Sequence, residues 1–176
     1  MRKTILYIAC SLDGFIAGPN DNLDFLNAVH TEGEDYGYGE FIKTIDTVIM
    51  GRRTYDWVMD KVTEFPHADK KTYIITRQDR PSRGNITFYS GSIEKLIHRL
   101  KVETGLNIFI DGGAQVVNVM LKHQLIDEMI ISLIPVILGD GTRLFQSDNN
   151  TLKLELVSTK TFDTGLYQLH YRYIKT

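Results

Sequence analysis

Apolar residues fall along this chain in two rhythms. Short runs that are apolar almost throughout recur at "TILYIAC" (4–10), "TVIM" (47–50), "TYIIT" (72–76), "ITFY" (86–89), "NIFI" (107–110) and "EMIISLIPVIL" (128–138). Runs of that kind predict strands covered on both faces, as in a parallel sheet. Segments of helical period lie between them. In "SIEKLIHRLKVETG", Ile93, Leu96, Ile97 and Leu100 fall at i, i+3, i+4 and i+7. Ser92 is placed to cap the start of that helix and Gly105 to stop its end. Val116, Val117, Met120 and Leu121 form a second stripe in "AQVVNVMLKHQ", and Tyr55, Val58 and Met59 a shorter one after Gly51. Strand and helix in alternation predict an α/β sheet with parallel members.

The last thirty residues change to a period of two. "LKLELVSTKTF" places Leu152, Leu154 and Leu156 on one face, and "GLYQLHYRYI" does the same with Tyr167, Leu169, Tyr171 and Tyr173. Asp163-Thr164-Gly165 between them supplies turn residues. The pattern predicts an antiparallel hairpin at the edge of a mixed, mostly parallel sheet. Its tyrosine-rich face is expected to pack on the sheet's own helices; a surface for a partner is the alternative.

Length and composition narrow the class. The 176 residues suit one domain spanning 1–176, and 43% hydrophobic with 24% charged residues is ordinary for a soluble globular chain. Twenty basic against twenty-two acidic residues leave a formal charge of −2, so no overall field draws nucleic acid or an anionic membrane. Any anion is held by local placement of charge. The one cysteine, Cys10, sits in an apolar run and reads as a small buried hydrophobe. With no disulfide, no secretory core before Asp13 and no apolar run near the ~20 residues of a membrane helix, a cytoplasmic protein is expected.

Familiar chemical motifs are absent. There is no G-x-G-x-x-G after the first strand, no G-x-x-x-x-G-K-[ST], no G-x-S-x-G and no H-E-x-x-H, and the five histidines are scattered, so no metal site is expected. What remains stands at strand ends. These are Gly51-Arg52-Arg53-Thr54, Thr76-Arg77, Ser90-Gly91-Ser92 and Asp111-Gly112-Gly113-Ala114. In open α/β sheets ligands collect beyond the carboxyl ends of strands, and helix N-termini there offer free N–H groups and a positive dipole end. Taken singly, Gly-Gly before a helix is also an ordinary turn and Thr76-Arg77 also a solvated loop. Arg52 and Arg53 oppose the helix dipole unless an anion is present. Taken together, they describe a site for several phosphates, as in a dinucleotide carrying an extra one.

These stretches resemble a known family. "ACSLDGFIAGPNDNLDFL" resembles the first strand and following loop of the dihydrofolate reductase superfamily, "VIMGRRTYD" its G-R-x-T segment and "IDGGAQVV" its Gly-Gly cofactor turn. "LIDEMIISLIPVILGDGTRLF" is closer still to the reductase domain of the bifunctional riboflavin-biosynthesis deaminase-reductase. The resemblance runs from residue 4 to about 145. It implies a dihydrofolate-reductase-like three-layer α/β sandwich, a homodimer, and an NADPH-dependent reductase acting on a small pyrimidine- or pterin-like molecule. By the same resemblance, Gly51, Arg52, Arg53 and Thr54 face the 2′-phosphate or pyrophosphate, Thr76 and Arg77 flank the adenosine end, and Ser90 lies near the adenine or its ribose. Gly112, Gly113, Ala114 and Gln115 wrap the pyrophosphate with a cis peptide between the glycines, and Ala9 and Ile16 border the nicotinamide.

The substrate side departs from that pattern. Folate-reducing members place a carboxylate on the first helix; here "LNAVHTEGEDYGYGEF" has no acid in its first part, and His30 stands near the matching place. Asp13, in "SLDG", is the candidate catalytic group, with an Asp-Gly turn as its structural alternative. Asp24 and Phe25 are expected to line the same pocket, and Gly139-Asp140-Gly141-Thr142 to form a turn. Two other readings stay open: a non-catalytic nucleotide-binding protein that keeps the cofactor cradle, and a flavin- or nucleotide-binding interaction module.

Overall fold

In the computed structural model, which describes residues 1–147 and 151–174, the apolar runs assemble into one eight-stranded sheet. They are β1 (Thr4–Ser11), β3 (Ile45–Gly51), β4 (Lys71–Ile75), β5 (Ile86–Tyr89), β6 (Asn107–Gly112) and β7 (Glu128–Ile134). The hairpin supplies β9 (Leu154–Thr161) and β10 (Tyr167–Tyr173). The order across the sheet is β5-β4-β3-β6-β1-β7-β10-β9, parallel from β5 to β7, with β10 antiparallel to both β7 and β9. β2 (Phe15–Ala17) and β8 (Thr142–Arg143) form a small separate pair. β7 stops four residues short of the apolar run it belongs to, because Pro135 has no N–H to continue the ladder.

Helices cover both faces of the sheet. α3 (Ile93–Val102) and α4 (Ala114–Lys122) bury Leu96, Leu100, Val117 and Met120 against Leu6, Ile49, Ile108 and Ile110. α1 (Tyr38–Lys43) and α2 (Arg52–Lys61) bury Phe41 and Tyr55 against Ile5, Val48, Met50, Ile74 and Phe109. Successive strand residues point to opposite faces, so one strand feeds both layers. Ser92 caps α3 as its spacing predicts, accepting from Lys95 N. Cys10 is buried in the first of these layers, and burial pushes its thiol up to about 11. No helix among the described residues is long and apolar enough to cross a membrane.

The hairpin corrects one expectation. Tyr167, Leu169, Tyr171 and Tyr173 do share a face, but only Tyr173 is buried, near Leu121, Met129 and Leu152. Tyr167 is 38% exposed, and on the paired strand Leu154 and Leu156 are exposed too. The physical reason is geometric: the covering helix follows β6 and packs toward the middle of the sheet, leaving most of β10 and β9 uncovered on that side. Val157 is the extra residue of a bulge opposite the His170–Tyr171 step.

At the amino ends of the strands the chain is tied by one buried cation. Arg2 donates from Nε to Leu106 O (2.5 Å), from Nη1 to Leu100 O (3.3 Å), and from Nη2 to Thr47 Oγ1 (2.7 Å) and the Asp46 carboxylate. One guanidinium thus joins the start of β3, the end of α3 and the loop into β6. Arg2→Ala should cost about 3 kcal/mol in denaturant unfolding, the upper end for a charged hydrogen bond. The loss is not larger, because Asp46 is 36% exposed and water recovers part of its solvation.

Candidate functional site

Parallel neighbours place all their carboxyl ends on one edge. Read across the sheet, β5 ends at Ser90, β4 at Thr76 and Arg77, β3 at Gly51 to Thr54, and β6 at Gly112 to Gln115. β1 is the next strand, with Ala9 in its second half. β1 pairs with β6 only from Thr4 to Leu6, yet stays paired with β7 as far as Ser11. β6 instead follows β3, where Met50 is opposite Gly112. The sheet therefore opens beside the carboxyl half of a central strand, and Tyr7, Ile8 and Ala9 are only half-buried there.

The two helix starts at this opening are pressed together. The Gly112–Gly113 peptide is cis and Gly112 has φ 119°, a region that favours glycine. A Cβ on Gly113 would lie 2.9 Å from Thr54 Oγ1, and one on Gly51 would lie 3.3 Å from Val116 Cγ2 and 3.7 Å from Gly113 N. Only glycine lets the Thr54 hydroxyl and the first turn of α4 meet at this spacing. Arg52 and Arg53 are the first residues of α2. Without an anion each finds a carboxylate: Arg52 pairs with Asp56, and Arg53 with Asp21 at 3.1 Å. These are exposed pairs, a class worth little to stability and readily exchanged. Thr76 is buried and accepts from Gln78 N, Arg77 beside it is exposed, and the Ser90 hydroxyl donates to Asp79. Ile16 packs against the α3–α4 layer from the small β2–β8 pair. Where the sequence predicts a turn over 139–142, the chain bends at Asp140 and Gly141 and enters β8 at Thr142, and a Cβ on Gly141 would sit 2.1 Å from Ala17 O.

Asp13 has another task than the one expected of it. Its carboxylate accepts from Ser11 Oγ (2.6 Å), Leu138 N (3.1 Å) and Gly139 N (2.8 Å). The Ser11 hydroxyl first, and the two backbone N–H groups after it, hold the acid down to about 2. A carboxylate so held ties the turn after β1 to the loop after β7 and has no proton to give near neutral pH. Asp24 and Phe25 are corrected as well. Residues Asp24–Val29 form a 3₁₀-helix, in which i and i+3 share a face. Leu26 and Val29 therefore turn toward the cavity, Phe25 packs with Ile134 and Leu166, and Asp24 is exposed and bonded to Asn22.

That cavity, of about 230 Å³, opens beside Ala9. Its floor is Tyr7, Ala9 and Ser132, its wall Leu26, Val29, Ile134 and Leu166, and its rim His30, Thr31 and Glu34 to Tyr36. Gln168 lies behind the floor. Its amide nitrogen reaches Tyr7 Oη (3.1 Å), Ser132 Oγ (3.1 Å) and Tyr36 O (3.2 Å), while Tyr7 Oη donates to Tyr36 O (2.9 Å). Burial raises the Tyr7 hydroxyl above its ordinary value, partly offset by the Gln168 amide. Strand pairing aligns these groups, since Ala9 is opposite Ser132 and Ser132 opposite Gln168. Tyr7, Ser132 and Gln168 escaped the sequence reading. The signal available was that Ser132 is a lone polar interruption of the apolar run 128–138, whereas Gln168 lies on the regular polar face of the last strand with His170 and Arg172. Asp111, at the end of β6, faces buried His67 at 3.8 Å; together with burial, its charge raises the Tyr38 hydroxyl. Among the described residues no group of three or more His, Cys, Asp or Glu is placed to hold a metal.

Known proteins share this arrangement. Residues 2–167 match the profile of the RibD C-terminal domain. The chain is 46% identical over 171 residues to the uncharacterized protein YwjB of Bacillus subtilis (strain 168), covering 97% of each. A Shewanella sp. PV-4 protein provisionally assigned to riboflavin biosynthesis has a crystal structure similar at TM-score 0.88, with 28% identity over 98% of this chain and 99% of that one. The Thermotoga maritima diaminohydroxyphosphoribosylaminopyrimidine deaminase/5-amino-6-(5-phosphoribosylamino)uracil reductase shares the fold at TM-score 0.74 and 14% identity, covering 98% of this chain and 57% of that one. Dihydrofolate reductase from Enterococcus faecalis, solved with NADP(H), shares it at TM-score 0.66 and 16% identity, over 98% and 97%. The architecture is thus dihydrofolate-reductase-like.

The Asp13 clasp makes a pH prediction. A carboxyl held near 2 in the folded chain and at about 3.9 when unfolded stabilises above pH 4 and loses that contribution as pH falls toward 2. Asp13→Asn should lower the thermal midpoint at pH 7, and the gap to the parent protein should close between pH 4 and 2. Nicotinamide cofactor affinity at pH 7 should change less than twofold. A cofactor-binding defect with unchanged midpoint would return Asp13 to the active site.

Proposed function

This chain belongs to the RibD C-terminal domain family, and from that premise we propose an NADPH-dependent oxidoreductase that transfers a hydride to a small pyrimidine- or pterin-like heterocycle. The supporting observation is the track of strand ends. Five adjacent parallel strands separate Ser90 from Ala9, four spacings of about 4.8 Å, or roughly 19 Å, which suits an extended dinucleotide. Ser90, Thr76 and Arg77 take the adenosine end in this reading. Thr54 and the turn Gly112 to Gln115 take the pyrophosphate with the N-termini of α2 and α4. Arg52 and Arg53 exchange their carboxylates for phosphate, for which a guanidinium is a planar, permanently charged donor. Ala9 and Ile16 border the nicotinamide, which when bound supplies the hydride.

The chain's own residues then bind, orient and screen. Tyr7, Ala9 and Ser132 present the substrate beside the nicotinamide position, while Leu26, Val29, Ile134 and Leu166 exclude water from one side of it. Asp13 stays ionised, so the proton comes from water at the open rim. The reading as a non-catalytic nucleotide-binding protein that keeps the cofactor cradle is less favoured, because a cavity opens beside Ala9 at the proposed nicotinamide end. The chain acts as a single domain and as a homodimer through the bare hairpin face. Leu156→Lys should shift the sedimentation mass from dimer to monomer with the thermal midpoint unchanged.

Titration with NADPH, NADH and FMN, followed by nicotinamide and flavin fluorescence, tests the cofactor. NADPH should bind at least tenfold more tightly than NADH, a difference of ~1.4 kcal/mol. The double variant Arg52→Ala/Arg53→Ala should abolish that preference. Equal loss for both nicotinamides would remove the 2′-phosphate from these arginines, and a preference for FMN would favour a flavin-binding module instead.

A further inference from the structure

We infer that the substrate cavity takes an uncharged or cationic amino-heterocycle carrying no phosphate. The inference rests on the cavity being the substrate site of the proposed reductase, and it names the class that this site accepts. Charge along the open edge of the sheet is divided. Arg52, Arg53, Arg77 and Arg80 gather around the ends of β3 and β4. Among the described residues lining the cavity there is no arginine or lysine, and its rim carries two carboxylates, Glu34 and Asp35, with His30. Both acids are fixed by backbone N–H groups. Glu34 Oε1 accepts from Tyr36 N (2.7 Å), and Asp35 accepts from Gly37 N (2.8 Å) and Gly39 N (2.9 Å). The Gly37 and Gly39 bonds hold Asp35 below the usual carboxylate range, so its negative charge is permanent at physiological pH. Two lysines stand near this segment but neither lines the cavity. Lys43 is bonded to Glu40, and the Lys160 ammonium lies beside Gly37.

A second observation comes from the floor. Ser132 is 4% exposed and lines the cavity. Its oxygen accepts from Gln168 Nε2, and its own O–H has no acceptor among the described residues. A buried hydroxyl with an unused proton calls for an acceptor on the ligand, a ring carbonyl or ring nitrogen. The rim carboxylates call for N–H donors at the opposite end. A cavity of about 230 Å³ is smaller than the range of roughly 300–1,000 Å³ common for drug-sized ligands, and suits one ring system better than a ring with ribose phosphate. A phosphate at the rim would face two fixed negative charges with no guanidinium to receive it. This separates the chain from its Thermotoga maritima structural neighbour, whose named substrate is phosphoribosylated.

The test uses isocytosine, 5-amino-6-ribosylaminouracil and the 5′-phosphate of the latter, titrated calorimetrically into the protein with and without NADP⁺. The phosphate should bind at least tenfold more weakly than the riboside. Glu34→Lys, on an exposed side chain, should narrow that gap at least fivefold. Ser132→Ala should weaken isocytosine at least fivefold with the thermal midpoint within two degrees or so of the parent. The inference is overturned if the phosphate binds as tightly as the riboside, if no probe binds to protein that still binds NADPH, or if Glu34→Lys leaves the gap unchanged. Discrimination that persists in protein unable to bind NADPH would uphold the charge selection and overturn the cofactor reading alone.

Discussion

The molecule depends on one divergence in its hydrogen-bonded sheet. β1 leaves β6 after Leu6 but keeps β7 to Ser11, while β6 continues along β3 to Gly112. A central strand of a parallel sheet normally has both edges satisfied, and its side chains fill both faces. Here half of one edge is given up, and that gap opens the middle of the protein, where the proposed ligand would enter. Everything that frames the gap is short-range and tight. A Cβ on Gly113 would lie 2.9 Å from the Thr54 hydroxyl, closer than a Cβ tolerates, and one on Gly51 would press Val116 at 3.3 Å. On the far side the β2–β8 pair and the Asp13 clasp fix the loops after β1 and β7.

The division of charge follows from the same topology. Strand ends β3 and β4 feed α2 and the loop after Thr76, and these carry the arginines. Strand ends β1 and β7 face the 3₁₀ segment and the loop to α1, and these carry the acids. One edge of one sheet therefore holds an arginine-rich half, proposed for phosphates, and a carboxylate-rich half beside the proposed reacting ring. The exposed ion pairs of Arg52 and Arg53 keep the cationic half solvated and exchangeable rather than locked.

The row Ala9–Ser132–Gln168 shows how a sheet lines and backs a cavity across strands distant in sequence. The three positions lie on β1, β7 and β10 and meet only through register. Gln168 joins the Tyr7 and Ser132 hydroxyls and the Tyr36 carbonyl. A one-residue slip of β10 would turn Gln168 to the other face and leave those groups without their common partner.

The strands, the helical stripes, the Ser92 cap and the hairpin were legible in the chain because each is set by local periodicity or by a side chain acting within a few residues. The gathering of Ser90, Thr76, Arg77, Gly51 to Thr54 and Gly112 to Gln115 on one edge was legible for a related reason: in a parallel sheet, the end of a strand is defined by sequence, and all such ends share one edge. The cavity beside Ala9 was not legible. Whether Asp13 faces a ligand or two backbone N–H groups depends on where the loop after β7 lies, and whether Phe25 or Leu26 meets the cavity depends on a 3₁₀ rather than an α period. The bare tyrosine face depends on how far one helix reaches across the sheet. Sequence by itself settled what is periodic or adjacent in the chain. The tertiary structure alone decided what is held by register, by loop contact and by the opening between two strands, since those terms join residues far apart in the chain, as Asp13 meets Leu138 and Ser132 meets Gln168.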